Sequence, residues 1–362
     1  MTAATALIAG NEPLPELAAE AVSQALASAG LSHANGILLF LTAEFAHTAA
    51  AAVHAAARAG NCLHIAGGIV GGVANERRWV VDRPAAAVMV LGDRHSLGPE
   101  DVTAGNLLCI AADISLPSCW RDAADRCGLL FQDPLIAQAF PAWQQGRLMP
   151  EHRACVGIVG ATRHTAVSTG LRQLGPHRRV DTAHGHDLAR LDGMTALAAL
   201  RRELPAEYRA APPAADRGLP LHGLYAMLGD EGDPGLPRIL PILAANGDDS
   251  LTLGDRVRPG DRLAFAIRQP IDAERELQCR LGELAAACPT PSFGLFLSCI
   301  GRGPYFYAGE DRDWQLFRER FPQMPFLGAY GSSQIAPLPE PRVVQNCVVL
   351  NVFADAPAAE TA

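Results

Sequence analysis

Lysine is absent from this 362-residue chain, whose 30 basic residues are all arginine. That absence excludes a Schiff-base enzyme, a pyridoxal phosphate aldimine and the lysine-bearing phosphate loop of nucleoside triphosphatases. The chain also has no G-x-S-x-G elbow and no H-E-x-x-H helix, so serine-hydrolase and zincin chemistry have no motif to rest on. Aromatic residues are few, at 6%, which makes any cluster of them informative. The nine cysteines are odd in number and contain no C-x-x-C pair. Such usage implies no disulfide framework and fits a reducing compartment, where cysteines serve mostly as small buried apolar side chains.

The net charge is −8 and the arginines are scattered. A nucleic-acid backbone would meet net repulsion, so nucleic acid is not an expected partner. The first basic residue is Arg58, and the start therefore lacks the charged region of a secretory signal. The longest apolar runs, near Gly36–Thr42 and Ala85–Gly92, are strand-length, so no membrane partner is expected. With 49% apolar and 19% charged residues, the composition is that of a folded protein, expected to be soluble and cytoplasmic. The length implies two domains.

Small and apolar residues at helical spacing predict a helix over Pro13–Gly30. A buried strand, Ile37–Leu41, follows, then an alanine-rich helix over Ala46–Ala59 and a strand over Cys62–Ala66 that runs into a glycine-rich turn, Gly67–Gly72. Strands are expected at Trp79–Asp82, Ala86–Leu91, Leu107–Ala111, Leu129–Phe131 and Cys155–Val159, with a helix around Leu135–Trp143. A hairpin joins Arg178–Thr182 to Leu188–Leu191 through His184-Gly185-His186-Asp187, and a helix occupies Met194–Glu203. The stretch Ala210–Pro220 breaks every periodicity and reads as the linker, giving domains at 1–209 and 218–353 and a disordered tail at 354–362. Beyond the linker come strands within Leu221–Leu228, Ile239–Ala244, Ser250–Leu253 and Leu263–Ile267, a helix over Asp272–Ala287 and a strand over Phe293–Cys299.

In both halves a wholly apolar strand feeds a helix that returns to a strand ending in glycine. The expected fold is therefore α+β, with two domains of mixed β-sheets covered by helices and related by a rough internal duplication. A pocket where the two glycine-ended turns meet is the simplest site. Its members come from two clusters. In Ser298–Tyr307, Arg302 offers a planar fork for a carboxylate, Gly303 lets backbone approach a guest, and Tyr305 adds an aromatic face. In Gly328–Pro337, Tyr330 is a stacking wall, while Ser332, Ser333 and Gln334 are polar readers, joined by Asn346. Gly67, Gly71 and Gly72 form the close-approach turn of the other half. The plainer alternative pairs Arg302 with an acid such as Glu310 and leaves the glycines as ordinary turns.

The strand Phe293–Cys299 running into Gly301-Arg302-Gly303, then Gly328-Ala329-Tyr330 with Ile335 and Pro337, and Asn346 before the last strand resemble the C-terminal FIST (F-box and intracellular signal transduction) domain. Ile37–Leu41, the Gly67–Val73 cluster and the Asp192-Gly193 hairpin end are similar to the N-terminal FIST domain. Together the resemblance spans about Gly36 to Phe353. It implies a sensory, small-ligand-binding module of intracellular signalling, with an amino acid or other small carboxylate as ligand and a downstream signalling protein as partner. Some relatives bind haem and sense nitric oxide. The family often has Gly-Glu-Ile where this chain has Ser333-Gln334-Ile335 and Gly71-Gly72-Val73. Losing both carboxylates argues against a cationic or amine-bearing ligand.

No cofactor is expected from the residues themselves. The haem alternative would use His47, His54 or His64, of which His47 and His54, seven apart, share a helical face. A second alternative is a cysteine-dependent enzyme with Cys299 as nucleophile beside Arg302 and His222 or His164 as base. His184, His186 and Asp187 offer metal-ligand types on one hairpin tip, where neighbours rarely converge, and Cys119 and Cys127 have no partner pair at zinc spacing.

Overall fold

The computed structural model describes residues 3–101, 105–113, 115–122, 124–132, 139–209, 219, 221–230, 235–337 and 342–356. They form a mixed α/β fold in two compact units, Met1–Thr169 with Leu277–Ala362, and Gly170–Glu276. The linker expected at 210–220 lies almost wholly outside the described residues, within the sequence range of the second unit. Residues 357–362 of the expected tail also lie outside, whereas the last strand continues through Asp355.

In the first unit, the strand Gly36–Thr42 is buried along its whole length, which is why its sequence is continuously apolar rather than alternating. It runs parallel to Ile65–Val70 with Ile37 opposite Ile65, and antiparallel to Ala85–Leu91, which pairs outward with Ala3–Ala9. The hairpin Ala142–Gln144 and Arg147–Leu148 completes this six-stranded sheet. Helices Pro15–Ala29 and Ala49–Gly60 lie between these strands in the chain, and the first ends at Gly30 in the left-handed conformation, φ 72°. Their buried faces are mainly alanine and valine, whose short side chains let the helices seat closely.

A second six-stranded sheet has the same inner pattern. Phe293–Cys299 runs parallel to Phe326–Gly331, with Gly294 opposite Phe326, and antiparallel to Val348–Asp355, which pairs outward with Ala161–Ser168. Its remaining strands come from the first half: Gly72–Asn75 pairs with Phe326–Gly331, and Trp79–Val81 with Gly72–Asn75. The expected glycine turn is thus corrected. Gly67 and Gly68 lie inside the strand Ile65–Val70, and only Gly71 separates it from the next strand. A third sheet orders Arg342–Val344, Ser333–Ala336, Arg126–Leu130, Leu107–Ala111, Arg153–Val159 and Ser96–Gly98. Of the helix expected around Leu135–Trp143, residues 135–138 lie outside the description, residues 139–141 are not helical, and the end, Ala142-Trp143, is strand.

The second unit is a six-stranded antiparallel barrel. Its strands run Arg262–Arg268, Arg178–His184, Asp187–Leu191, Leu251–Leu253, Arg238–Ala245 and Leu224–Leu228, and the last closes on the first with Leu228 opposite Leu263. Alternating inward residues, among them Val180, Leu188, Leu240, Ile242 and Phe265, fill the interior together with the helix Ala196–Glu203. Among the described residues, no helix is long and apolar enough to cross a membrane.

Candidate functional site

The first unit brings most of the residues singled out in the sequence to one place, at the ends of the parallel pair Phe293–Cys299 and Phe326–Gly331. Gly71 N–H donates to the Tyr330 carbonyl at 2.8 Å, and Gly72 sits opposite Tyr330 in the ladder. Ile300 N–H donates to the Gly331 carbonyl at 2.9 Å. What the glycines admit is protein. A Cβ on Gly303 would lie 2.9 Å from the Tyr330 ring, one on Gly71 2.9 Å from the Phe131 ring, and one on Gly67 1.8 Å from the Leu39 carbonyl. Tyr330, expected as a stacking wall for a ligand, is fully buried and its ring packs against Gly72 and Gly303 of the chain itself.

Arg302 is fully buried. Its Nε donates to Asp313 Oδ2 at 2.7 Å, Nη1 to the Ser168 carbonyl at 2.7 Å and Nη2 to Ser168 Oγ at 2.7 Å. The clamp for an incoming carboxylate is therefore corrected. The fork is already engaged, and its acid is Asp313 rather than the Glu310 that sequence proximity suggested. Tyr307 donates its hydroxyl to Asp313 Oδ1 at 2.7 Å, and Tyr330 donates its hydroxyl to Asp311. Asp311 also caps the helix Arg312–Arg320 by accepting from Trp314 N–H at 2.9 Å. Burial, with the Asp313 charge added, pushes the Asp311 carboxyl up to about 7. Burial and the nearby carboxylates likewise push both phenols, Tyr307 and Tyr330, upward. This network fixes the turn after Phe293–Cys299 and exposes no charge.

The other members are also engaged by the chain. Ser332 Oγ donates to the Gln132 carbonyl at 2.9 Å and accepts from Gln132 N–H at 3.1 Å, tying this turn to the third sheet. Ser333 and Gln334 are buried. Cys347 Sγ donates to Gln334 Oε1 at 3.2 Å, while Gln334 Nε2 has no hydrogen-bond partner among the described residues. Cys299 Sγ, also buried, faces the Ser332 carbonyl at 3.3 Å and Asn346 Oδ1 at 3.9 Å. Tyr305 is 58% exposed and donates its hydroxyl to Asp82.

The histidines lead elsewhere in the same unit. His47 precedes the helix Ala49–Gly60, so it does not share a helical face with His54. His54 and His64 line one open groove of about 1030 Å³, together with Arg58, Arg147, Glu16 and Leu63. His54 and Arg58, four apart, stand on one helix face. Arg147 is placed by the tight turn at Gln145 and Gly146, whose φ angles of 52° and 70° need a left-handed conformation at both positions. Neither the Arg58 nor the Arg147 guanidinium has an ion-pair or hydrogen-bond partner among the described residues. A smaller cavity of about 60 Å³ shares His64 and Gln145 with the groove. Leu63 is 71% exposed on the groove's wall. Sequence reasoning passed over Arg58 and Arg147. The four-residue step from His54 and the Gln145-Gly146 turn signal were the available clues.

In the second unit, Asp187 accepts from Thr252 Oγ1 at 2.6 Å and His186 Nδ1 contacts the Leu253 carbonyl at 3.2 Å, so the hairpin-tip residues are held by different neighbours. Cys119 is exposed and Cys127 is buried.

Residues 196–337 match the FIST C domain. Among curated proteins, the uncharacterized proteins MT0656 and Rv0628c of Mycobacterium tuberculosis are each 26% identical over 188 residues, which is 51% of this chain and 48% of theirs. The uncharacterized protein Mb0898c of Mycobacterium bovis is 26% identical over 192 residues, again 51% of this chain and 48% of its own. The matched segment thus spans about half the length of these curated relatives.

Proposed function

We propose that this chain, which carries a FIST C domain, is a small-ligand sensor that acts in signal transduction and takes an amino acid or other small carboxylate. The observation that carries the ligand class is the groove of the first unit, where two guanidiniums without an ion-pair partner among the described residues and two imidazoles line one open concavity. Arg58 and Arg147 take the anion-reading role that Arg302 cannot fill, because a guanidinium fork matches a carboxylate and neither of these two forks is engaged by another described residue. The reading extends to an N-terminal FIST-like half, a cytoplasmic setting, a downstream protein partner and an internal duplication. The last is supported by the identical pairing around the two parallel strand pairs.

The test is a thermal-shift screen against amino acids and small carboxylates, with the double variant R58A/R147A as control. A subset of carboxylates is expected to raise the melting temperature of the native protein, with the shift lost in the variant. Equal shifts in both proteins, or none in either, would refute the groove as the ligand site.

One observation favours a second reading, a haem-based gas sensor: His54 and His64 lie in the same groove. The donor set fits haem, with an imidazole for the iron, Leu63, Ala51 and Ala57 for the ring, and Arg58 and Arg147 for its two carboxylates. Haem would supply gas binding at its iron. A Soret band that forms with added haemin and is lost in H54A/H64A would support this reading, and its absence would remove it.

A further inference from the structure

We propose that Cys109 and Cys155 are a redox modification site, a cross-strand pair of thiols that closes to a reversible disulfide. The two residues lie directly opposite each other on the antiparallel strands Leu107–Ala111 and Arg153–Val159 of the third sheet. The hydrogen bonds Ala112 N–H to His152 and Ile158 N–H to Asn106 set the alternation of that ladder and make the cysteines a non-hydrogen-bonded pair. Consistent with this, Cys155 N–H donates to Gln144 Oε1 at 3.2 Å rather than to the facing strand. In such pairs the Cα atoms are about 4.5 Å apart, within the roughly 4.4–6.8 Å that disulfides bridge. Their sulfurs are 2.7 Å apart.

Neighbours reinforce the pairing. Both thiols point into the small cluster formed with Leu107, Ala111, Trp120 and Leu130. The third nearby cysteine, Cys127, belongs to the opposite core, where Arg163 Nη1 lies 2.9 Å from its sulfur, so it does not compete. Burial and the adjacent Cys155 push the Cys109 thiol well above its usual range. Oxidation therefore favours alkaline conditions and a small oxidant.

The oxidant class is a hydroperoxide. One thiol loses its proton and its sulfur attacks a peroxide oxygen; the O–O bond breaks, leaving a sulfenic acid, and the departing hydroxide takes up that proton as water. The second sulfur then displaces the sulfenic hydroxyl, which leaves with the second thiol's proton as another water. Two thiols and one hydrogen peroxide give one disulfide and two waters.

The test uses the folded chain with its exposed thiols removed, C119S/C279S. It is treated with hydrogen peroxide at about pH 9, where more thiolate is present, then unfolded in an alkylating agent and mapped by mass. The expected product is a linked Cys109–Cys155 peptide, 2 Da lighter than its two thiol components, which dithiothreitol separates. Recovery of both residues as alkylated thiols, or a link from Cys109 to another cysteine, would overturn the proposal. Because the mapping uses intact core cysteines, it does not depend on whether a C155S variant folds.

Discussion

At the scale of single residues, Arg302 shows how a sequence can mark a position correctly and its partner wrongly. Flanking glycines and nearby aromatics set it apart, but the distinction reflects a buried ion pair with Asp313, and Ser168, far away in the chain, completes it. Nothing local announces Ser168. Removing one member of a buried pair leaves the other charge uncompensated, which costs about 3–5 kcal/mol. Arg302→Ala should lower the stability measured by urea unfolding by that amount, and a loss below about 1 kcal/mol would show that the pair is dispensable. Gly303→Ala should also destabilise, because its methyl group would press on the Tyr330 ring.

At the scale of elements, the helix Arg312–Arg320 depends on a capping residue that is also a titrating one. In the folded chain the Asp311 carboxyl keeps its proton up to about 7, whereas its ordinary value is 3.8. Between those values the folded state binds more protons than the unfolded state, so this group's contribution is present in full at low pH and is lost as the pH rises through about 7. Asp311→Asn keeps a good cap and removes the titration. Unfolding midpoints of wild type and variant measured across this range should diverge, with the wild type falling relative to the variant as pH rises. Parallel curves would show that Asp311 ionises normally.

The same scale explains which elements were legible. Gly36–Thr42 and Phe293–Cys299 are unbroken apolar runs, and Pro15–Ala29 has proline at its start and glycine just past its end, so each was visible in sequence. Ala3–Ala9 was not, because it is mostly alanine, which carries little strand preference. Ala161–Ser168 mixes buried and half-exposed positions without clean alternation, so its pairing with Val348–Asp355 came only from the structure.

For the molecule as a whole, the hairpins of the second unit were readable from their turns, but the closure of six strands into a barrel was not. It depends on pairing between Leu224–Leu228 and Arg262–Arg268, which are distant in sequence. The meeting of the two glycine-rich turns was anticipated, yet that junction is filled by Tyr330, and the open groove lies instead beside the helix Ala49–Gly60. Its lining is gathered from that helix, the start of the helix Pro15–Ala29, the strand-entry residue His64 and the Gln145-Gly146 hairpin, four places that no local pattern connects.

The central claim is that Arg58 and Arg147 hold a small carboxylate in this groove, and calorimetric titration of the best carboxylate from the thermal screen tests it most directly. One ligand per chain is predicted, with affinity reduced at least about tenfold in R58A/R147A, the equivalent of about 1.4 kcal/mol, and weakened further by salt. Equal affinity in the two proteins, unaffected by salt, would contradict it.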